Sequence, residues 1–121
     1  MKVVLVTGSR NWSDWDTITK VLTDAKPDLI ITGSCATGAD HIAEQVAKRF
    51  EINYRGYPAK WGKHANSAGP RRNAVMAEQL NAMSSSGHAV VVLAFPQADS
   101  KGTQDMISRA TKLELKVEVF V

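Results

Sequence analysis

Cysteine is almost absent from this chain: Cys35 is the sole one, so no intrachain disulfide can staple the fold, and no Cys/His group stands at zinc-ligand spacing. A lone thiol fits a reducing compartment. Long apolar runs are missing too, none approaching the ~20 residues that cross a bilayer. The first residues enter a strand pattern without the basic stretch and apolar core of a signal peptide, so a cytoplasmic location with no membrane partner is expected. Charge of one sign is in small excess only. Fifteen Lys and Arg against twelve Asp and Glu leave a net charge of +3, too little to imply nucleic acid by itself and equally suited to a small anionic ligand. No internal repeat and no linker divides the chain. What is there, 121 residues of which 44% are hydrophobic and 22% charged, suits one folded domain over 1–121 with one core.

Residues 3–7, 29–32 and 89–95 are continuous apolar runs, the pattern of strands buried on both faces, and residues 117–121 close the chain as a last strand. Between them apolar residues recur at the helical period. Trp15, Ile18, Val21, Leu22 and Ala25 mark a first helix, and Ile42, Ala43, Val46, Ala47 and Phe50 a second. The spacing predicts a third helix over 70–83 and a fourth over 103–114. Strands alternating with helices imply an α/β fold with a mostly parallel sheet of about five strands, covered by helices on both faces. Residues 55–69 read as a long irregular connection, the kind of loop that carries function, and 84–87 as a plain link.

Three strand patterns run into turns that open onto helices: Thr7-Gly8-Ser9-Arg10, Gly33 to Asp40, and Ser100-Lys101-Gly102-Thr103. At the carboxyl edge of a parallel sheet, glycines let backbone amides approach an anion and helix N-termini add partial positive charge. Gly8, Ser9 and Arg10 are therefore candidate phosphate contacts, as are Gly33, Ser34, Gly38 and Asp40, and Ser100, Gly102 and Thr103. Each has a structural counterpart. The first is also a tight turn; Thr37 and Asp40 fit a capping pair, threonine at the N-cap and an acid three residues on; Thr103 fits an N-cap. Asn11-Trp12 fits either a pocket wall or a cap on the sheet edge. Cys35 has no base that the sequence places beside it, so it reads as filling space. His41, His64 and His88 read as surface or hydrogen-bonding residues, and neither a metal nor a cofactor is expected.

Gly69-Pro70 starts the third helix with proline at its first position, which puts Arg71, Arg72 and Asn73 in the first turn. Cations there oppose the helix dipole. A bound anion would compensate them, as would solvent. Three turns and an arginine pair on one sheet edge point to a nucleotide-like ligand.

The segments Gly8-Ser9-Arg10-Asn11-Trp12, Gly33 through Asp40, Pro58-Ala59-Lys60-Trp61, Ala68-Gly69-Pro70-Arg71-Arg72-Asn73 with Met76, and Ala94-Phe95-Pro96 followed by Ser100 through Met106 resemble, in order, the SLOG superfamily and within it the YspA-type, cpYpsA-related group. That resemblance implies a single Rossmann-like domain, a homo-oligomer such as a dimer or tetramer, and a nucleotide-derived ligand containing ribose phosphate. ADP-ribose, NAD and cyclic-nucleotide derivatives are the kinds it suggests, in bacterial or phage signalling and defence. The chain is also distantly similar to the lonely-guy phosphoribohydrolases, which cleave the N-glycosidic bond of nucleoside monophosphates, and to DprA, which binds single-stranded DNA. Arg72 with Met76 matches the enzymes' arginine and methionine, and Gly102-Thr103 their Gly-Thr turn. Asp105, however, stands where they have a catalytic glutamate, Gln97-Ala98 replaces their paired glycines, and Gly33 to Gly38 is a reduced form of their glycine-rich loop.

Two readings of the same residues follow from the resemblance. In an enzyme, Arg72 would orient phosphate and Asp105 would stabilise an oxocarbenium-like ribose or position water. In a binding protein, Arg72 and Asn73 with the turns would simply hold ribose and phosphate. The shorter acid and altered glycines move the expectation toward binding. Nucleic-acid binding, with Trp61 or Tyr57 as stacking surfaces, is a further reading.

Overall fold

The continuous apolar runs become the centre of a five-stranded sheet. A computed structural model describes residues 1–97 and 100–121, with strands β1 (Lys2–Gly8), β2 (Leu29–Thr32), β3 (Asn53–Gly56), β4 (Ala89–Phe95) and β5 (Val117–Val119). The helices are α1 (Trp15–Ala25), α2 (Gly38–Arg49), the single-turn α3 (Trp61–His64), α4 (Ala68–Ser85) and α5 (Lys101–Lys112), with a 3-10 turn over Ala65–Ser67. All strand pairs are parallel, in the order β3-β2-β1-β4-β5. This is the Rossmann-like α/β arrangement expected.

Successive side chains on the inner strands point to opposite faces, and both faces are covered. On one, Val4, Val6 and Ile30 pack under Ile18 and Leu22 of α1 and Ile42 and Val46 of α2. On the other, Val3, Leu5, Ile31 and Val92 meet Met76 and Leu80 of α4 and Met106 and Ala110 of α5. Double coverage is why these strands carry no polar alternation. Trp12 belongs to the first core, edge-on to Phe95 at 5.3 Å with its indole Nε1 donating to the Asp14 carbonyl at 3.0 Å. Of its two readings, the structural one holds.

The connection expected to be irregular over 55–69 is partly regular. Its start completes β3, whose register runs from Leu29↔Asn53 to Thr32↔Gly56. All four β3 residues are exposed, because the strand lies at the sheet edge, and so no apolar run marked it. α4 begins at Ala68 rather than Pro70, continuing from the 3-10 turn, which moves Arg71 and Arg72 into its second turn. There the opposition to the helix dipole is weaker than a first-turn placement implies. α5 likewise starts early, with Ser100 at its N-cap and Thr103 inside the first turn. No helix among the described residues is long and apolar enough to cross a membrane.

Chain order decides where a crevice opens. From β1 the chain passes to β2 on one side, while β4 lies on its other side, so the connections after β1 and β4 diverge at their carboxyl ends. In open parallel sheets that divergence leaves a gap in which ligands bind.

Candidate functional site

A cavity of about 570 Å³ occupies that gap. Gly8, Ser9, Arg10 and Asn11 form the side beyond β1; Ser100 to Thr103 and Asp105 of α5 form the side beyond β4. Between them α4 contributes Gly69, Pro70, Arg72 and Asn73, and the loop and start of α2 contribute Cys35 and Asp40. Trp61 and Asn66 stand at the edge contributed by the β3–α4 connection. Trp61 is 49% exposed. Its ring packs over Gly69, where an added Cβ would lie 3.3 Å from the indole, and the Arg10 guanidinium sits 5.5 Å from its centroid.

Arg72 ties the site together. Its Nη1 donates to the Gly33 carbonyl at 2.6 Å and to the Tyr57 carbonyl at 3.4 Å, and its Nε donates to Asn73 Oδ1 at 2.9 Å. The guanidinium thus clamps the loop after β2 and the loop after β3 onto α4. Nη2 makes no hydrogen bond within the described residues and is not sealed from solvent, leaving one edge of the fork for a ligand. Asn73, buried on α4, extends the chain of bonds: its Nδ2 donates to the Gly102 carbonyl at 3.1 Å and to Asp105 Oδ2 at 3.0 Å. Arg109 Nε also donates to Asp105 Oδ2, at 2.9 Å, so the carboxylate is held from both sides.

Asp40 lies beneath the loop after β2 and is only 5% exposed. Burial pushes its carboxyl up to about 6, against the downward pull of Arg72 and of the Cys35 and Gly33 amides. Asp40 does not complete a capping box. Its Oδ2 accepts from the Cys35 amide at 3.4 Å, and the Thr37 side chain makes no cap hydrogen bond. Burial, followed by the Asp40 charge, also raises the Cys35 thiol above its ordinary value, while Arg72 and Arg10 pull it down. Cys35 is half-buried and lines the cavity, so it borders the site rather than merely filling space.

The three turns play different parts. In the first, Ser9 is spent on the fold: its amide donates to the Phe95 carbonyl at 3.0 Å, its Oγ donates to Gln97 Oε1 at 3.1 Å and accepts from the Asn11 amide at 3.0 Å, and its carbonyl accepts from the Ala39 amide at 3.1 Å. Gly8 leaves room for Ala39, whose Cβ would stand 2.6 Å from one placed on the glycine. The second turn is closed by packing. Gly33 lies against Arg72, Gly38 has a φ of +77° with its α-carbon pressed on the Ser9–Arg10 backbone, and the Ser34 hydroxyl donates to Glu44 Oε2 at 3.0 Å. Gly33, Ser34 and Gly38 stand outside the cavity lining, whereas Gly8, Ser9, Arg10, Asp40, Arg72, Asn73, Ser100, Gly102, Thr103 and Asp105 are all in it. The third turn presents the first amides of α5, for which a helix has no carbonyl of its own. Ala98, read as replacing a family glycine, and Asp99 beside it lie outside the described residues.

Comparison with known proteins agrees with the fold. The model of the YspA, cpYpsA-related SLOG family matches residues 2–64, and the Gene 61 protein of Mycobacterium phage D29 is 33% identical over 129 residues, covering 99% of this chain and 97% of that protein. The chain belongs to the YspA, cpYpsA-related SLOG family. The C-terminal domain of a Pyrococcus furiosus hydrogenase has the same fold, with a TM-score of 0.54 at 10% identity over 98% of this chain and 90% of that one. Membership in the SLOG family suggests, at a coarse level, a nucleotide-related ligand.

Sequence reasoning missed the SLOG cavity's outer wall. Cys35, Asn66 and Lys101 line it without having been assigned to it, whereas Asn11 takes the pocket-wall place that was one of its two readings. Lys101 was legible, since it sits inside a turn already singled out. Asn66 carried no signal, because only the 3-10 turn before α4 carries it to the site.

Proposed function

We propose that this SLOG protein binds a nucleotide-derived small molecule containing ribose phosphate in the cavity between the ends of β1 and β4. The observation that carries this reading is the convergence of Arg72, the first turn of α5 and the Arg10–Trp61 pair on one cavity of about 570 Å³, a volume suited to a ligand of that size. The α5 amides and Arg72 supply donors for phosphate. Asp40 and Asp105 supply acceptors for ribose hydroxyls, and Trp61, about half exposed at the cavity edge, offers a base an aromatic surface. Signalling or defence between phage and host is the setting that a phage-encoded relative favours, and a homo-oligomer is the expected form, to be checked by light scattering. Differential scanning fluorimetry with AMP, ADP-ribose, NAD and cyclic nucleotides tests the reading: at least one should raise the melting temperature. No shift with any of them refutes it.

A second reading, N-glycosidic hydrolysis of a nucleoside monophosphate, is favoured by one observation. Asp105 is oriented by Asn73 and Arg109 while facing the same cavity as Arg72, an arrangement able to stabilise positive charge developing on a ribose. Release of free base from AMP should then depend on Asp105. Equal release by wild type and Asp105→Ala removes this reading.

A further inference from the structure

On the far side of Arg72 from the nucleotide cavity lies a smaller pocket of about 320 Å³. Lys60, His64, Arg71 and Arg72 provide its charged and titratable groups, with Tyr57 and Val75 beside them. Among the described residues no carboxylate lines it, whereas the larger cavity sets Asp40 and Asp105 against its cations. The sequence explains the difference. Between Glu51 and Glu78 there is no acidic residue, yet Arg55, Lys60, Lys63, Arg71 and Arg72 all fall in that stretch. None of the five is in an ion pair within the described residues. Arg71 Nε donates only to Ser67 Oγ, at 3.0 Å, and Arg55 Nη1 to the Tyr57 hydroxyl at 3.5 Å. His64 registers the crowding: partial burial, then the charges of Arg71, Lys63 and Lys60, hold its imidazole below the ordinary value. Like charges gathered around a hollow repel one another, and an anion placed in it relieves them.

The geometry points to this pocket as a second anion site, receiving a phosphoryl group that a ligand in the larger cavity carries on another part of its ribose, with Arg72 as the wall common to both. The identity of the ligand rests on the nucleotide reading; the preference for an anion rests on the pocket's own cations. Lys60 and Arg71 reach it from different elements, one from the segment before α3 and one from α4. They differ in kind, a mobile point charge and a planar fork, which together suit a tetrahedral dianion. A nucleoside monophosphate occupies the larger cavity alone. A nucleoside 3′,5′-bisphosphate reaches both.

The imidazole signals of His41, His64 and His88, followed by NMR as inorganic pyrophosphate is added, test the pocket directly. Wild type is compared with the Lys60→Ala, Arg71→Ala double variant; both side chains are exposed, so the fold should persist, with unchanged His41 and His88 signals as the check. The expected result is a rise in the His64 titration midpoint with pyrophosphate, absent for the other two histidines and lost in the variant. In parallel, adenosine 3′,5′-bisphosphate should bind wild type about tenfold more tightly than AMP, from one added set of charge-assisted bonds. The variant should lose that margin and keep its AMP affinity. A His64 midpoint indifferent to pyrophosphate, or a bisphosphate margin that survives in the variant, overturns the second site. If pyrophosphate moves His64 but no nucleotide binds, the anion pocket stands and the nucleotide reading of the larger cavity fails. If only a single-stranded oligonucleotide moves His64, the cations serve nucleic acid and the proposal falls.

Discussion

Replacing Asp40 with asparagine should stabilise the protein, by an amount that grows as the pH rises from about 4 to about 6. The carboxyl is 5% exposed, and burial lifts it from 3.8 to about 6 although Arg72 pulls the other way. A carboxyl that holds its proton more tightly in the native state than in the unfolded chain contributes its full stability below the unfolded value and loses it as the pH climbs through the native one. At ~1.4 kcal/mol for each pH unit, the rise from 3.8 to about 6 corresponds to ~3 kcal/mol. The amide that replaces the carboxyl carries no charge at any pH, and its oxygen can still accept from the Cys35 amide. Urea unfolding of Asp40→Asn and wild type from about pH 3 to about pH 7 should therefore give a stability difference that increases by ~3 kcal/mol in all and levels off once the pH is about a unit above the native value. A difference that stays flat refutes the reasoning. One that shrinks as the pH rises refutes it more sharply, since it would mean that Arg72 holds Asp40 as an anion and outweighs burial.

Gly38→Ala should cost ~2 kcal/mol or more, because φ is +77° and the new Cβ would meet the Ser9 carbonyl and lie 2.5 Å from the Arg10 α-carbon; an unchanged melting temperature would contradict that packing. Gly102→Ala meets nothing within 4 Å and should leave stability unchanged or slightly raised, while weakening nucleotide-induced stabilisation if α5's first amides receive phosphate. Asn73→Ala removes the donor that joins Gly102 to Asp105 in a buried position and should destabilise by ~1–3 kcal/mol in chemical denaturation. Alkylation of Cys35 at neutral pH should be slow and should quicken in Asp40→Asn, because the Asp40 charge helps keep the thiol protonated; equal rates would separate the two groups.

The inner strands were legible because burial on both faces leaves a continuous apolar run, as in Val3 to Val6 and Val91 to Phe95. β3 was not, since an edge strand whose side chains are all exposed carries no such signature. The site divides along a similar line. Gly8, Gly102 and Thr103 could be read from strand-to-helix turns, and Arg72 from its place in the motif. Nothing in the string distinguishes a glycine that admits a ligand from one that admits another part of the protein. Gly33 makes room for Arg72 and Gly38 for the Ser9–Arg10 backbone, contacts that exist only after α2 and α4 dock. Asp40's burial arises in the same way, from tertiary closure over a residue that locally fits a cap.

The register that sets Lys2 opposite Ala89 and Gly8 opposite Phe95 joins the first strand to the fourth across most of the chain. Closing so long a loop carries an entropic cost that local pairing does not, and contacts this distant in sequence slow folding. In a chain made from its N-terminus, β1 and β2 are both in place before β4 exists. The crevice comes into being only when the Ser9 amide reaches the Phe95 carbonyl. The cavity lining draws on residues from Thr7 to Asp105, so a chain ending before β4 lacks the wall that α5 supplies and has no such crevice.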